Sequence, residues 1–194
     1  MQALSNYSVE AMPKLQNDRK KKLESESITF RIEKPTLDDL RQEADQKMES
    51  VNTLVNQIIN SYVHWHKPAK NAGLGYFPKV LVASSINYLD DEEVIQVTEE
   101  YCNHYLKDII HMLISESTFS SFMDVLCSWL ELSGYPYRFD SINGADTYVI
   151  QFGMGRKWSL YFKTQMKLVF EQYHIKNAEA EMTDNTVIIR IKRE

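Results

Sequence analysis

The sequence predicts an α+β protein in two parts. A short strand with two helices comes first, and a larger mixed half then reads as three helices followed by β-β-α-β-β. Three observations carry that prediction. Ile28, Phe30 and Ile32 alternate with Ser27, Thr29 and Arg31, the period-two pattern of a strand with one apolar face. Leu37, Leu40 and Ala44, then Leu54, Val55, Ile58, Ile59 and Tyr62, follow at helical spacing. From Leu74 onward, helical stripes give way to two strands, a further helix and a final hairpin.

The elements follow in order. Residues 1–25 are polar and without periodicity, and read as a flexible arm that is basic through Arg19, Lys20, Lys21 and Lys22. Pro35 helps stop the strand, and Thr36 with Asp39 suggests a capping box for the first helix. Ser50 is a good N-cap for the second. Lys67-Pro68-Ala69-Lys70-Asn71-Ala72-Gly73 reads as a breaker-rich linker, which divides the chain into a module at 26–66 and a domain at 74–194.

In that domain a short helix is expected over Lys79–Leu89. Asp90 with Glu93 then opens a long one, its acidic residues at the positive end. Val94, Thr98, Tyr101, Tyr105, Ile109 and Met112 form its expected stripe. Thr118 caps a third helix with Phe119, Phe122, Met123, Leu126, Trp129 and Leu130 inward, closed by Gly134 and Pro136. Strands are expected at Tyr137–Ile142 and Thr147–Phe152. A helix from Lys157 to Tyr173 buries Trp158, Phe162, Val169 and Tyr173. The hairpin pairs Asn177–Met182 with Thr186–Lys192 across Asp184-Asn185.

A strand as short as Ser27–Ile32, ahead of two helices, cannot bury its apolar face alone. Pairing with its copy in a second chain solves that, and a two-stranded ribbon is an element that enters the DNA major groove. The segment Ser27–Val63 resembles the Arc/MetJ-type ribbon-helix-helix family of DNA-binding proteins. It matches the family's strand, helix and helix lengths without insertions, over roughly a fifth of the chain. The resemblance implies a dimeric, sequence-specific transcription regulator, such as a repressor. Ser27, Thr29 and Arg31 would read bases, and the turn at Ser50 and Asn52 would hold a phosphate. Family members often carry glycine where this chain has Met48, and glycine suits a left-handed C-terminal turn. Met48 therefore implies a strained or differently shaped turn.

Residue chemistry agrees. Arg31 can donate two hydrogen bonds to a guanine edge, and Thr29 offers a hydroxyl and a methyl to a base edge. A helix start capped by Ser50 exposes backbone N–H groups to an anion. The alternative is an amphipathic strand whose outer face meets only water.

The net charge of −5 is unevenly placed. Lys14–Lys34 holds seven basic and four acidic residues, a local +3, while positions 35–194 carry −7. Positive charge thus lies on and just before the ribbon, where phosphates would be met. The run Arg19–Lys22 reads as a DNA-contacting arm, or else as a solvated tail. With 194 residues, 43% of them apolar, the chain can hold one good core plus a small module. No apolar stretch reaches membrane-spanning length, and residues 1–25 lack the apolar core of a secretory signal. Cys102 and Cys127 are too few for a disulfide framework. A cytoplasmic protein with no membrane partner is expected.

The mixed half offers little catalytic chemistry. His64 and His66 are two apart on a helix end and face different ways, as surface histidines do. Cys102, His104 and His111 are metal-ligand types, but Cys102 and His104 diverge by roughly half a turn. No catalytic triad can be proposed from spacing, so neither an enzyme, a metal nor a cofactor is expected. Gly153, Gly155, Arg156 and Lys157 form a strand-to-helix turn that suits an anionic ligand, or is a tight turn needing small residues. Tyr101, Tyr105, Trp129, Tyr148, Trp158 and Phe162 are core residues, or the walls of a pocket for a planar or apolar effector. The expected whole is a homodimer or higher homo-oligomer on double-stranded DNA. Its C-terminal domain would sense a small-molecule effector or join dimers. The alternative is a DNA-binding antitoxin whose C-terminal part grips a partner protein.

Overall fold

Residues 25–114 and 116–193 are described by the computed structural model of the chain. At the N-terminal side, residues 25–33 carry no regular secondary structure. The strand expected at 27–32 is not formed in the single chain. Strand backbone needs a neighbour's N–H and C=O groups, and no described segment pairs with this one.

Helix α1 (Lys34–Gln46) starts two residues before Thr36. Its N-cap is Glu33, without a side-chain cap, and Pro35 lies in the first turn, where its missing N–H costs nothing. Thr36 is therefore inside the helix and does not cap it. The helix ends in a Schellman turn, with Glu49 N–H bonded to Ala44 O at 3.0 Å and Met48 N–H to Asp45 O at 3.1 Å. Met48 adopts φ 54. The turn thus keeps the shape glycine favours and carries the strain of a Cβ there.

Helix α2 (Val51–Ser61) is capped as expected, Ser50 Oγ accepting the Thr53 N–H at 3.0 Å. It runs on through a π segment (Tyr62–His66) into α3 (Lys67–Asn71). In the π turn the Lys67 N–H reaches back to Tyr62 O. That wider turn comes just ahead of Pro68, which has no N–H to give, so the helix passes a residue that ordinarily breaks it. Leu74 N–H then bonds Ala69 O at 2.9 Å, with Gly73 at φ 78. The expected linker at 67–73 is thus a helix end whose Ala69 is buried, and α3 packs on a helix of the C-terminal half.

That half contains α4 (Lys79–Asn87), α5 (Asp91–Tyr101), a second π segment (Cys102–Leu106), α6 (Lys107–Leu113) and α7 (Phe119–Leu132). Then come β1 (Tyr137–Ile142), β2 (Ala145–Gln151), α8 (Arg156–Gln172), β3 (Ala178–Met182) and β4 (Thr186–Lys192). The expected order of three helices and β-β-α-β-β is observed, α5 to α6 being the long middle helix. Asp90 and Glu93 close their capping box, at 2.9 and 2.8 Å, and Thr118 Oγ1 accepts the Ser121 N–H at 3.1 Å.

The stripe of the long helix differs from expectation beyond Tyr101. Val94 and Thr98 are buried as expected, but Cys102, Leu106 and Ile110 take over the core, while Tyr105 and Met112 are exposed. A π turn holds an extra residue, so every later position advances by one. The four strands form one antiparallel sheet in the order β1-β2-β4-β3. Helices cover its inner face, where Ile150, Val187 and Ile189 are fully buried beside Leu130, Phe162 and Met166. Arg190 on the outer face pairs with Glu181 at 2.7 Å. No helix among the described residues is long and apolar enough to cross a membrane.

Candidate nucleic-acid interface

Ser27, Thr29 and Arg31 are exposed, and so are the apolar residues between them: Ile28 by 74%, Phe30 by 52% and Ile32 by 39%. The segment therefore has two faces by sequence and neither is covered in the single chain. On the adjoining helix Leu54 is buried, whereas Ile58, Ile59, Tyr62 and Val63 are exposed. A strand-forming run and a helical face, both apolar, stand open within one module.

At the start of α2, Ser50 and Asn52 are exposed. The cap takes up the Thr53 N–H and leaves those of Val51 and Asn52, which have no acceptor within a helix. Two donors at the positive end of a helix favour an anion. Glu49 works against it: Gln57 Nε2 donates to its Oε2 at 2.8 Å, and its Oε1 is buried without a partner among the described residues. The basic run Arg19, Lys20, Lys21 and Lys22 lies outside the described residues.

The second candidate, Gly153, Gly155, Arg156 and Lys157, turns out to carry its own anion. Both glycines have positive φ, 64 and 87, so the turn needs them. Gly155 N–H donates to Asn185 Oδ1 at 2.9 Å. Arg156 Nη2 lies 2.8 Å from Asp91 Oδ2, and Lys157 Nζ lies 2.5 Å from Asp91 Oδ1. Their hydrogen bonds hold the Asp91 carboxyl well below the usual carboxylate range. Arg156 and Lys157 tie α8 to the start of α5, and the two glycines shape the turn before them. Asp91 was not foreseen because it sits in a run of acidic residues that reads as a helix start.

His66 Nδ1 and the Tyr76 hydroxyl are 2.6 Å apart, and His64 is exposed. Cys102 is buried, with its thiol pushed up to about 11 by that burial, while His104 and His111 face solvent. No group of three ligand-type side chains able to hold a metal ion occurs among the described residues.

The aromatic residues divide. Tyr101, Trp129, Trp158 and Phe162 line one cavity of about 150 Å³. Tyr105 is exposed on the far side of its helix, and Tyr148 pairs with Phe139 on the sheet, ring centroids 4.7 Å apart. Sequence reading missed Trp65, Tyr161 and Gln165 in the cavity wall. Trp65 belongs to the N-terminal module, and no spacing within the C-terminal half points to it. No family model, curated protein or solved structure matches the chain.

Proposed function

We propose that the chain is a dimeric, sequence-specific DNA-binding regulator in which residues 27–32 of two copies pair as a ribbon. One observation carries the reading: Ile28, Phe30 and Ile32 alternate and stand exposed, and Ile58, Ile59, Tyr62 and Val63 stand exposed in the same module. Fully burying one such side chain is worth about 1.5–3 kcal/mol, so two copies gain enough to offset the cost of association. Pairing turns those residues toward the partner and sends Ser27, Thr29 and Arg31 to the opposite face, where base edges would meet them. Ser50 and Asn52 then supply phosphate contacts, and the charge of Arg19–Lys22 adds affinity without sequence preference.

The C-terminal half has its own helices, sheet and buried core. A tail that needs a partner protein to fold lacks such a core, which disfavours the antitoxin alternative. The half is instead suited to sensing or to joining dimers.

The test uses the full chain. Sedimentation should give a concentration-dependent dimer, and selection from random duplexes should yield a shared motif. Phe30→Asp should remove both properties while leaving the C-terminal half folded. A wild-type chain that stays monomeric, or that enriches no sequence, overturns the reading.

A further inference from the structure

Trp65, Tyr101, Trp129, Trp158, Tyr161 and Phe162 bound a cavity between the first helical run and the core of the C-terminal half. Its volume, about 150 Å³, suits a single six-membered ring, which apolar cavities of this size take up. No Asp, Glu, Lys, Arg or His is found in its wall among the described residues. Burial holds the hydroxyls of Tyr101 and Tyr161 protonated, so the wall is neutral.

Two further observations point to an occupant. Gln165 shares the wall and is only 8% exposed. Both π segments also border this space: Trp65 comes from the first, Leu106 from the second. π turns are rare and frequently mark functional sites. Here each adds its extra residue beside the same cavity.

We propose that the cavity binds a neutral, single-ring aromatic compound bearing one carbonyl acceptor. The ring lies among the aromatic walls, and the carbonyl takes an N–H of the Gln165 side-chain amide. Because Trp65 and Ser50 belong to one continuous helical run, an occupant touches the element that begins at the phosphate contact. That regulatory consequence rests on the DNA reading above, whereas occupancy of the cavity does not.

The experiment follows the ¹⁹F line of 4-fluorobenzamide added to the full chain. Broadening is expected, with a raised melting temperature, and 4-fluorobenzoate should show neither because its charge finds no counter-ion. Val125→Phe fills the cavity from its wall and should weaken binding by about tenfold or more. Gln165→Met, which keeps the length of the side chain and removes the amide, should weaken 4-fluorobenzamide while sparing fluorobenzene. Absence of broadening with the wild-type chain overturns the proposal, as does equal binding of benzamide and benzoate. Equal binding by folded Val125→Phe also overturns it. If Val125→Phe does not fold, the Gln165→Met comparison decides. A DNA titration with and without 4-fluorobenzamide separates the two readings. Binding of the probe with unchanged DNA affinity removes the coupling. Absence of any DNA binding removes the DNA reading and leaves the cavity standing.

Discussion

Met48 holds a left-handed backbone at φ 54 while its side chain is 94% exposed, so the strain has no visible compensation in packing. Met48→Gly should stabilise the chain by about 0.5–1 kcal/mol, relief of the Cβ strain exceeding the added chain entropy. A lowered midpoint in chemical denaturation would show that the methionine is held by something else. Glu49 sits beside the cap at the start of α2, with one carboxylate oxygen unpartnered among the described residues. Glu49→Gln should tighten DNA binding and steepen its salt dependence, because a repulsion that salt screens is removed next to the proposed phosphate. Unchanged affinity would place the phosphate elsewhere. Arg31→Ala should cost about 1–3 kcal/mol at the selected site and relax preference at one base, as measured on matched and scrambled duplexes. Asp91 has a depressed folded-state pKa, so its tie to Arg156 and Lys157 stabilises above the ordinary carboxylate range. That stability is lost as pH falls below about 4, and Asp91→Asn should flatten the acid limb of the stability profile there.

Among the elements, the π turn at Cys102–Leu106 decides which side of a helix is core. Leu106→Ala and Ile110→Ala should each cost about 2–5 kcal/mol, whereas Tyr105→Ala and Met112→Ala should stay within about 0.5. The reverse order in urea denaturation would restore the unbroken stripe. This register shift was not legible in the sequence, because a steady 3.6-residue period was assumed across a single extra residue. Local chemistry was legible. The caps at Ser50, Asp90 and Thr118 and the turn at Asp184-Asn185 each depend on a few adjacent residues. Pro68 misled, since its usual effect is cancelled by the π turn just before it. The alternation at 27–32 was visible as a pattern, but a strand also needs a second backbone. Of the cavity, the aromatic types were visible and their meeting was not, because Trp65 is brought to Trp129 by tertiary packing alone.

At the scale of the whole molecule, the sheet has two open edges, and both are defended. Edge strand β1 carries Arg138 and Asp140, paired at 2.7 Å, and edge strand β3 carries Glu179 and Glu181 opposite Arg190. Charges on an edge discourage a second chain from adding a strand there. The exposed alternation at 28–32 carries a single charge, Arg31, on the face opposite its apolar residues, so assembly should begin at that segment. The melting temperature of the full chain should rise with protein concentration, and Phe30→Asp should abolish that dependence. A dependence that survives the change would place the contact on another surface. The uninterrupted helical run from Val51 to Asn71 has a mechanical consequence as well. Fifteen residues separate Ser50 from Trp65, roughly 22 Å of nearly rigid rod. Pivoted at the tryptophan end, a tilt of about 5° sweeps the serine end through roughly 2 Å, the difference between a hydrogen bond made and one lost. Under the proposed DNA reading the run would act as a lever: a side chain shifting by less than its own width at one end would decide, at the other, whether a phosphate is held.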